Sequence, residues 1–150
     1  MARFATTVNS PAPAEEVFSY LAAFDNIAEW DPGVSQAVQV DRGPVGPGTA
    51  FDLVSVIGPF SVPLRYEVVE YGPGRRIALR AETADFVSYD VITVEETESG
   101  SAATYDADLS LRGLRRPADP LLRLLFAVIG RRAEAGLRKR LATLPSAVAA

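Results

Sequence analysis

The chain of 150 residues contains no histidine and no cysteine. Their absence excludes disulfides, thiolate nucleophiles and any zinc site built on imidazole or thiolate ligands. It also excludes Ser-His-Asp and Cys-His catalysis. Acid–base chemistry is left to Asp, Glu, Tyr, Arg, bound water or Lys139, the single lysine. Long apolar runs are missing too: none approaches the ~20 residues of a membrane span. Residues 1–7 lack the apolar centre of a signal peptide, so a cytoplasmic protein is expected. No metal and no cofactor is expected.

What is present suits one globular domain. Hydrophobic residues make up 48% of the chain, and the length allows a substantial core. The reading is a single domain over residues 1–150, with 145–150 as a frayed tail. Net charge is −4 but unevenly placed. Between Arg115 and Arg140 lie eight basic and two acidic residues. This is read as the solvated face of a helix, with an anionic membrane or partner as the sharper alternative. Basic residues are not interleaved with aromatics and no nucleic-acid motif occurs, so no nucleic-acid partner is expected. The sequence does not decide between monomer and homodimer.

Apolar periodicity predicts one long helix from Asp119 to about Leu144, with Asp119 as N-cap and Pro120 at the first helical position. Leu121, Leu122, Leu125, Phe126, Val128, Ile129, Ala133, Gly136 and Leu137 share one arc, and Arg123, Arg131, Glu134 and Arg138 lie opposite. Arg132 falls inside the apolar arc. Gly130 and Gly136 each cost about 1 kcal/mol against Ala inside a helix.

Residues 3–9 alternate as a first strand. A short helix follows Pro13, with Ala14, Val17, Phe18 and Leu21 on one face. A second begins near Asp25, a candidate cap, carries Ile27 and Trp30, and ends at Asp31-Pro32-Gly33. Val34, Gln36, Val38 and Val40 suggest the next strand. The loop over residues 43–48 has three glycines, but not the spacing of a dinucleotide-binding turn.

The later strands can be registered against one another. A turn at Gly58-Pro59 sets Phe51 opposite Tyr66, Leu53 opposite Leu64 and Ser55 opposite Val62, with Asp52 meeting Arg65 on the other face. A turn over residues 72–75 sets Val68 against Leu79 and Tyr66 against Ala81, and brings Glu67 to Arg80 and Arg65 to Glu82. A turn at Ala84-Asp85 places Ala81 by Ser88 and Leu79 by Asp90. A turn at Ser99-Gly100 places Val94 by Tyr105, Ile92 by Ala107 and Asp90 by Leu109. Each cross-strand pair contributes only about 0.2–1 kcal/mol. Their agreement still fixes the faces, because a one-residue slip would turn every side chain over. Asp90 falls on the inner face from both sides.

The order strand, two short helices, six strands, long helix resembles the START/birch-pollen-allergen (SRPBCC) superfamily. Within it the chain is similar to the bacterial polyketide cyclase/dehydrase-like family. The matching stretches are Pro13-Ala-Glu-Glu-Val-Phe, Asn26-Ile-Ala-Glu-Trp-Asp-Pro-Gly33, Gly46-Pro-Gly-Thr49, Arg65-Tyr-Glu-Val-Val-Glu-Tyr71 with Gly74-Arg-Arg-Ile77, and Gly113. The resemblance implies an α+β helix-grip fold: a curved seven-stranded antiparallel sheet around the C-terminal helix, with a cavity between them. It further implies that cyclases of this kind use cavity Arg and Tyr side chains. Here the charge pairing assigns Arg65 and Arg80 outward.

The expected cavity wall is Trp30, Phe51, Leu53, Leu64, Tyr66, Leu79, Phe86, Ser88, Asp90, Tyr105, Leu109, Leu125, Ile129 and Arg132, an apolar pocket with few polar groups. Asp90 stands out, because an inward carboxylate is costly unless paired or functional. It is a general base or ligand acceptor, or an ion-pair partner of Arg132, or a solvated residue if the register slips there. Tyr66 and Tyr105 offer ligand hydroxyls or only rings for the core. Trp30 is a cavity wall or a core plug, and Phe51 and Phe86 are packing or recognition. Ser55 and Ser88 have no His to activate them. Glu29 and Asp31 read as a solvated helix end. The functional expectation is a binder of a hydrophobic small molecule: a polyketide-like aromatic, an isoprenoid or a lipid. The alternatives are a cyclase, aromatase or dehydratase using Asp90 with Tyr66 or Tyr105, and an accessory protein docking its basic helix on an anionic surface.

Overall fold

A computed structural model describes residues 2–112 and 119–145, without the side chains of Asp119 and Leu122. The expected tail at 145–150, apart from Pro145, the capping role of the Asp119 side chain and Gly113 lie outside the described residues. The elements run β1 (Ala2–Ser10), α1 (Ala14–Ala22), a 3₁₀ turn (Phe24–Asn26), α2 (Ile27–Trp30), β2 (Val34–Gln39), β3 (Ala50–Ile57), β4 (Phe60–Gly72), β5 (Arg76–Glu82), β6 (Phe86–Thr97), β7 (Gly100–Leu111) and α3 (Asp119–Ala142). The strands form one seven-stranded antiparallel sheet in the order β1-β7-β6-β5-β4-β3-β2. It curls as a half-barrel around α3, the helix-grip arrangement. No described helix is long and apolar enough to cross a membrane.

The hairpins follow from their turns. At β3–β4, Ile57 faces Phe60 across Gly58-Pro59, and the expected pairs Phe51–Tyr66, Leu53–Leu64 and Ser55–Val62 are all present. Gly58 takes φ of 58°, which an L side chain would resist. The expected β4–β5 pairs Tyr66–Ala81 and Val68–Leu79 are also present, before a bulge between Val68 and Glu70. At β5–β6 the Thr83 hydroxyl accepts the amides of Asp85 and Phe86, closing the tight turn. Ala81 then faces Ser88, and Leu79 faces Asp90.

Four local expectations are corrected. The β6–β7 turn sits at Glu98-Ser99, with Thr97 opposite Gly100, so Ile92 pairs with Tyr105 and Asp90 with Ala107. Gly100 is needed elsewhere: a Cβ there would collide with the Ser10 carbonyl and the Pro11 backbone. The displacement is two residues, so every side chain keeps its face. In β2, a register shift between Val34 and Gln36 turns Val38 and Val40 out to solvent, while Ala37 packs on the core. Of the outer charge pairs, Arg65 binds Asp52 in a bidentate pair at 2.7 and 2.9 Å. Glu67 faces Arg80 as expected, but the Arg80 guanidinium joins Glu82 on its own strand at 2.7 Å, and Glu82 also takes Arg112. Asp25 provides no cap: neither the 3₁₀ turn nor α2 has a side-chain cap bond.

One end of the fold is filled. Ala14, Val17, Phe18, Leu21 and Ala22 of α1 are buried against the sheet, as a helix with that apolar spacing requires. Leu137 and Leu141 of α3 are 1% and 0% exposed. The Ser10 hydroxyl donates to the Leu141 carbonyl at 2.8 Å, satisfying one acceptor at the helix C-terminus. The other half of α3 departs from the predicted arc: Leu121 is 70% exposed, and Leu125 and Val128 are also exposed.

Candidate functional site

Beneath that raised half of α3 lies a cavity of about 180 Å³. The strands β3, β4, β6 and β7 give its floor and far wall, Phe4 of β1 and Ile27 of α2 close its sides, and Leu125, Phe126, Ile129 and Gly130 of α3 roof it. It opens to solvent beside Val56 and Leu125, both exposed lining residues. Leu53, Leu64, Tyr66, Phe86, Ser88, Asp90, Tyr105, Leu109, Leu125 and Ile129, all expected in the wall, line it.

Four expected wall residues do not line it. Phe51 and Leu79 are fully buried in the core towards the closed end. Trp30 is buried outside the cavity and packs edge-on against Tyr105, with ring centroids 5.5 Å apart. Arg132 is exposed and borders a surface groove with Glu29, Trp30 and Lys139. Its place in the broad apolar arc therefore does not turn it inward, and the Asp90–Arg132 ion pair, one of the three alternatives for Asp90, does not form.

Asp90 is 4% exposed, on the inner face of β6. Its partners are neutral hydroxyls. Tyr66 donates to Ser88 Oγ at 2.9 Å, Ser88 donates to Asp90 Oδ1 at 3.0 Å, and Tyr105 donates to Asp90 Oδ2. Strand alternation builds this row: Ser88 and Asp90 are two apart on β6, and Tyr66 and Tyr105 reach them from β4 and β7. Burial raises the Asp90 pKa from 3.8 to about 6; the Tyr105 and Ser88 hydroxyls pull against that, and the negative charge of Asp31 and Asp108 adds to it. Burial first, then the charge of Asp90, pushes both Tyr66 and Tyr105 well above the usual phenol range. At neutral pH the row holds a carboxylate beside two phenols that keep their protons.

Asp31 belongs to this site, against the expectation of a solvated helix end. It lines the cavity, and its Oδ1 accepts the Gly33 amide at 2.8 Å. Burial raises its pKa, with that backbone bond pulling the other way. The signal lies in Asp31-Pro32-Gly33, a turn in which an Asp side chain bonds its own backbone two residues on. Glu29 does point outward, to the Tyr20 hydroxyl at 2.7 Å and Arg140 at 3.0 Å. Among the described residues no group of three or more His, Cys, Asp or Glu is placed to hold a metal.

The fold recurs in solved structures. A START superfamily protein from Mycobacterium smegmatis aligns with a TM-score of 0.76 at 15% identity, covering 94% of this chain and 97% of its own. The protein TTHA0849 from Thermus thermophilus gives 0.74 at 18%, covering 93% and 95%. The Zhui aromatase/cyclase from Streptomyces sp. R1128 gives 0.72 at 14%, covering 93% and 90%. At these identities the likeness establishes the fold. A search of curated protein sequences finds no match. The sequence model of one family, polyketide cyclase / dehydrase and lipid transport, matches residues 1–147, and the chain belongs to that family.

Proposed function

We propose that the chain binds a hydrophobic small molecule in the cavity between the sheet and α3. One observation carries this reading: among the described residues the cavity wall is apolar except for Asp31, Ser55 and the Tyr66–Ser88–Asp90–Tyr105 row. That is the composition of a site which holds a ligand by apolar contact and orients it by one polar group. An apolar cavity of about 150 Å³ admits a benzene-sized molecule. The 180 Å³ here suits one ring or a branched chain of similar bulk. A polyketide-like polycycle, a longer isoprenoid or a lipid would need the raised half of α3 to move outward. Native mass spectrometry of the protein from a lipid-rich host, followed by identification of any released molecule, tests the reading. A stoichiometric apolar ligand is expected. An empty protein that also fails to take up an apolar fluorescent dye would overturn it.

A second reading, a cyclase, aromatase or dehydratase, is favoured by a different observation. Asp90 faces the cavity with its pKa raised to about 6 and meets no cation among the described residues, and a carboxylate so placed is suited to proton transfer near neutral pH. As base, Asp90 would take a proton from a carbon next to a carbonyl, while the Tyr66 or Tyr105 hydroxyl turned to the carbonyl oxygen. Turnover of a polyketide-like ketone that Asp90→Asn abolishes, with binding retained, is the expected result. Equal turnover by the variant rules it out. The third role, docking on an anionic surface, would accompany a collapsed cavity, and the open cavity weighs against it.

A further inference from the structure

The hydroxyl row fixes which hydrogens the cavity can offer. An ionised carboxylate only accepts, so Ser88 and Tyr105 must both donate to Asp90. With its single hydrogen spent, Ser88 can only accept from Tyr66. Three hydroxyls thus spend three hydrogens inside the row, and what remains towards the cavity is lone pairs: on the two phenol oxygens, on Asp90, and on Asp31 beyond the oxygen that takes the Gly33 amide. Among the described lining residues there is no Lys or Arg, and Ser55 on β3 is the only other hydroxyl besides the three in the row. The polar end of the cavity is therefore rich in acceptors, poor in donors, and negative.

We infer that the cavity selects a small amphiphile whose polar group donates hydrogen bonds, an ammonium above all, a hydroxyl next, and that it excludes carboxylates. The inference rests on the cavity-binding reading and names its ligand class. An ammonium brings both the donors the row lacks and the charge that no described lining residue supplies against Asp90. A carboxylate brings more lone pairs and a like charge into a poorly solvated space, which weakens its binding.

Four probes of one ring and different polar groups make the test: benzylamine, benzyl alcohol, benzoate and toluene. Each is titrated into the full ¹⁵N-labelled chain, and amide shifts on β6 and β7 report binding. At about pH 7.5, benzylamine is expected to bind at least about tenfold more tightly than benzoate, with the alcohol between them. Benzylamine affinity should rise, and benzoate affinity fall, as pH climbs from about 5 to about 7 and Asp90 ionises. Asp90→Asn should shrink the amine–benzoate gap. Asp31→Asn, at a half-buried position, should reduce the gap less and guards against a folding defect in the first variant. Benzoate binding as tightly as benzylamine overturns the inference while leaving the cavity reading standing. So does an undiminished gap in both variants, which would trace the preference to the overall charge of the chain. If none of the four probes, toluene included, shifts cavity amides, the cavity-binding reading itself falls and takes the inference with it.

Discussion

The two halves of α3 lie against the same sheet and solve opposite problems. Towards the C-terminus, Leu137 and Leu141 are sealed in the core, and the helix approaches α2 so closely that a Cβ on Gly136 would strike the Trp30 carbonyl. Towards the N-terminus, Leu121 and Leu124 are 70% and 67% exposed, and the space beneath Leu125 and Ile129 is hollow. One amphipathic element thus supplies a keel and a roof. Burial is concentrated in the keel; the roof stands over a cavity and over a carboxylate that meets no cation among the described residues.

The sharpest way to break this contrast is to hollow out the keel. Leu141→Ala should cost about 2–5 kcal/mol, the range for a fully buried Leu whose site cannot collapse. Chemical denaturation measures it, and a loss below about 1 kcal/mol, the scale of a partly exposed site, would deny that the C-terminal half anchors the fold.

Next comes the pH response of the hollow end. The folded-state pKa of Asp90 is raised, from 3.8 to about 6. Folding therefore binds the proton more tightly, so the stability this group contributes is full below pH 3.8 and is lost as pH rises through about 6. At about 1.4 kcal/mol per pH unit, the loss is on the order of 3 kcal/mol. Asp31 shifts in the same direction. The exposed Asp52 and Glu82 shift downward beside their arginines and act the other way. Comparing the chain with Asp90→Asn isolates the Asp90 part. The variant should gain on the parent between about pH 4 and pH 7, and a constant difference across that window would mean that Asp90 is not buried as a lone carboxylate.

The two helix glycines separate the halves at smaller scale. Ala adds about 1 kcal/mol of helix propensity at either place. At Gly136 the new methyl meets main chain, which cannot yield, so a net loss of about 1–3 kcal/mol is expected. At Gly130 it meets the ring of Phe4, a side chain that borders the cavity and, unlike main chain, can turn about its own bonds. Gly130→Ala should hold stability within about 1 kcal/mol while weakening ligand binding by filling the cavity. Equal destabilisation by both would remove the distinction.

Much of this is legible in the chain. Turn residues and outward charge pairs set the β3–β4 and β4–β5 registers, and with them the inward placement of Tyr66. Asp90 can be found as an inner-face acid because strand alternation survives a two-residue error in the next turn. The errors at Gly100, Arg132, Phe51 and Leu79 share a cause: they depend on contacts distant in sequence. Gly100 looks like a turn residue, but it serves the close passage of Ser10 and Pro11. Arg132 falls in the apolar arc, yet an arc says which residues share a side and not how that side is oriented. Periodicity likewise cannot distinguish a face that is packed from one that overlooks a hole, so it puts Phe51 and Leu79 in the cavity wall when they belong to the core.

The smallest expected effect is the most telling about the roof. Leu121 and Leu124 look, in sequence, as apolar as Leu137 and Leu141. If they stood over a filled core, truncating either to Ala would cost several kcal/mol. At 67% exposure, Leu124→Ala should change stability by no more than about 0.5 kcal/mol. The double variant with Leu141→Ala should then be additive within about 0.5 kcal/mol, since the two sites share no packing. A loss of about 2 kcal/mol or more from Leu124→Ala alone would instead indicate that the helix settles onto the sheet in solution. The hollow would then close, and the keel and roof would be one continuous core.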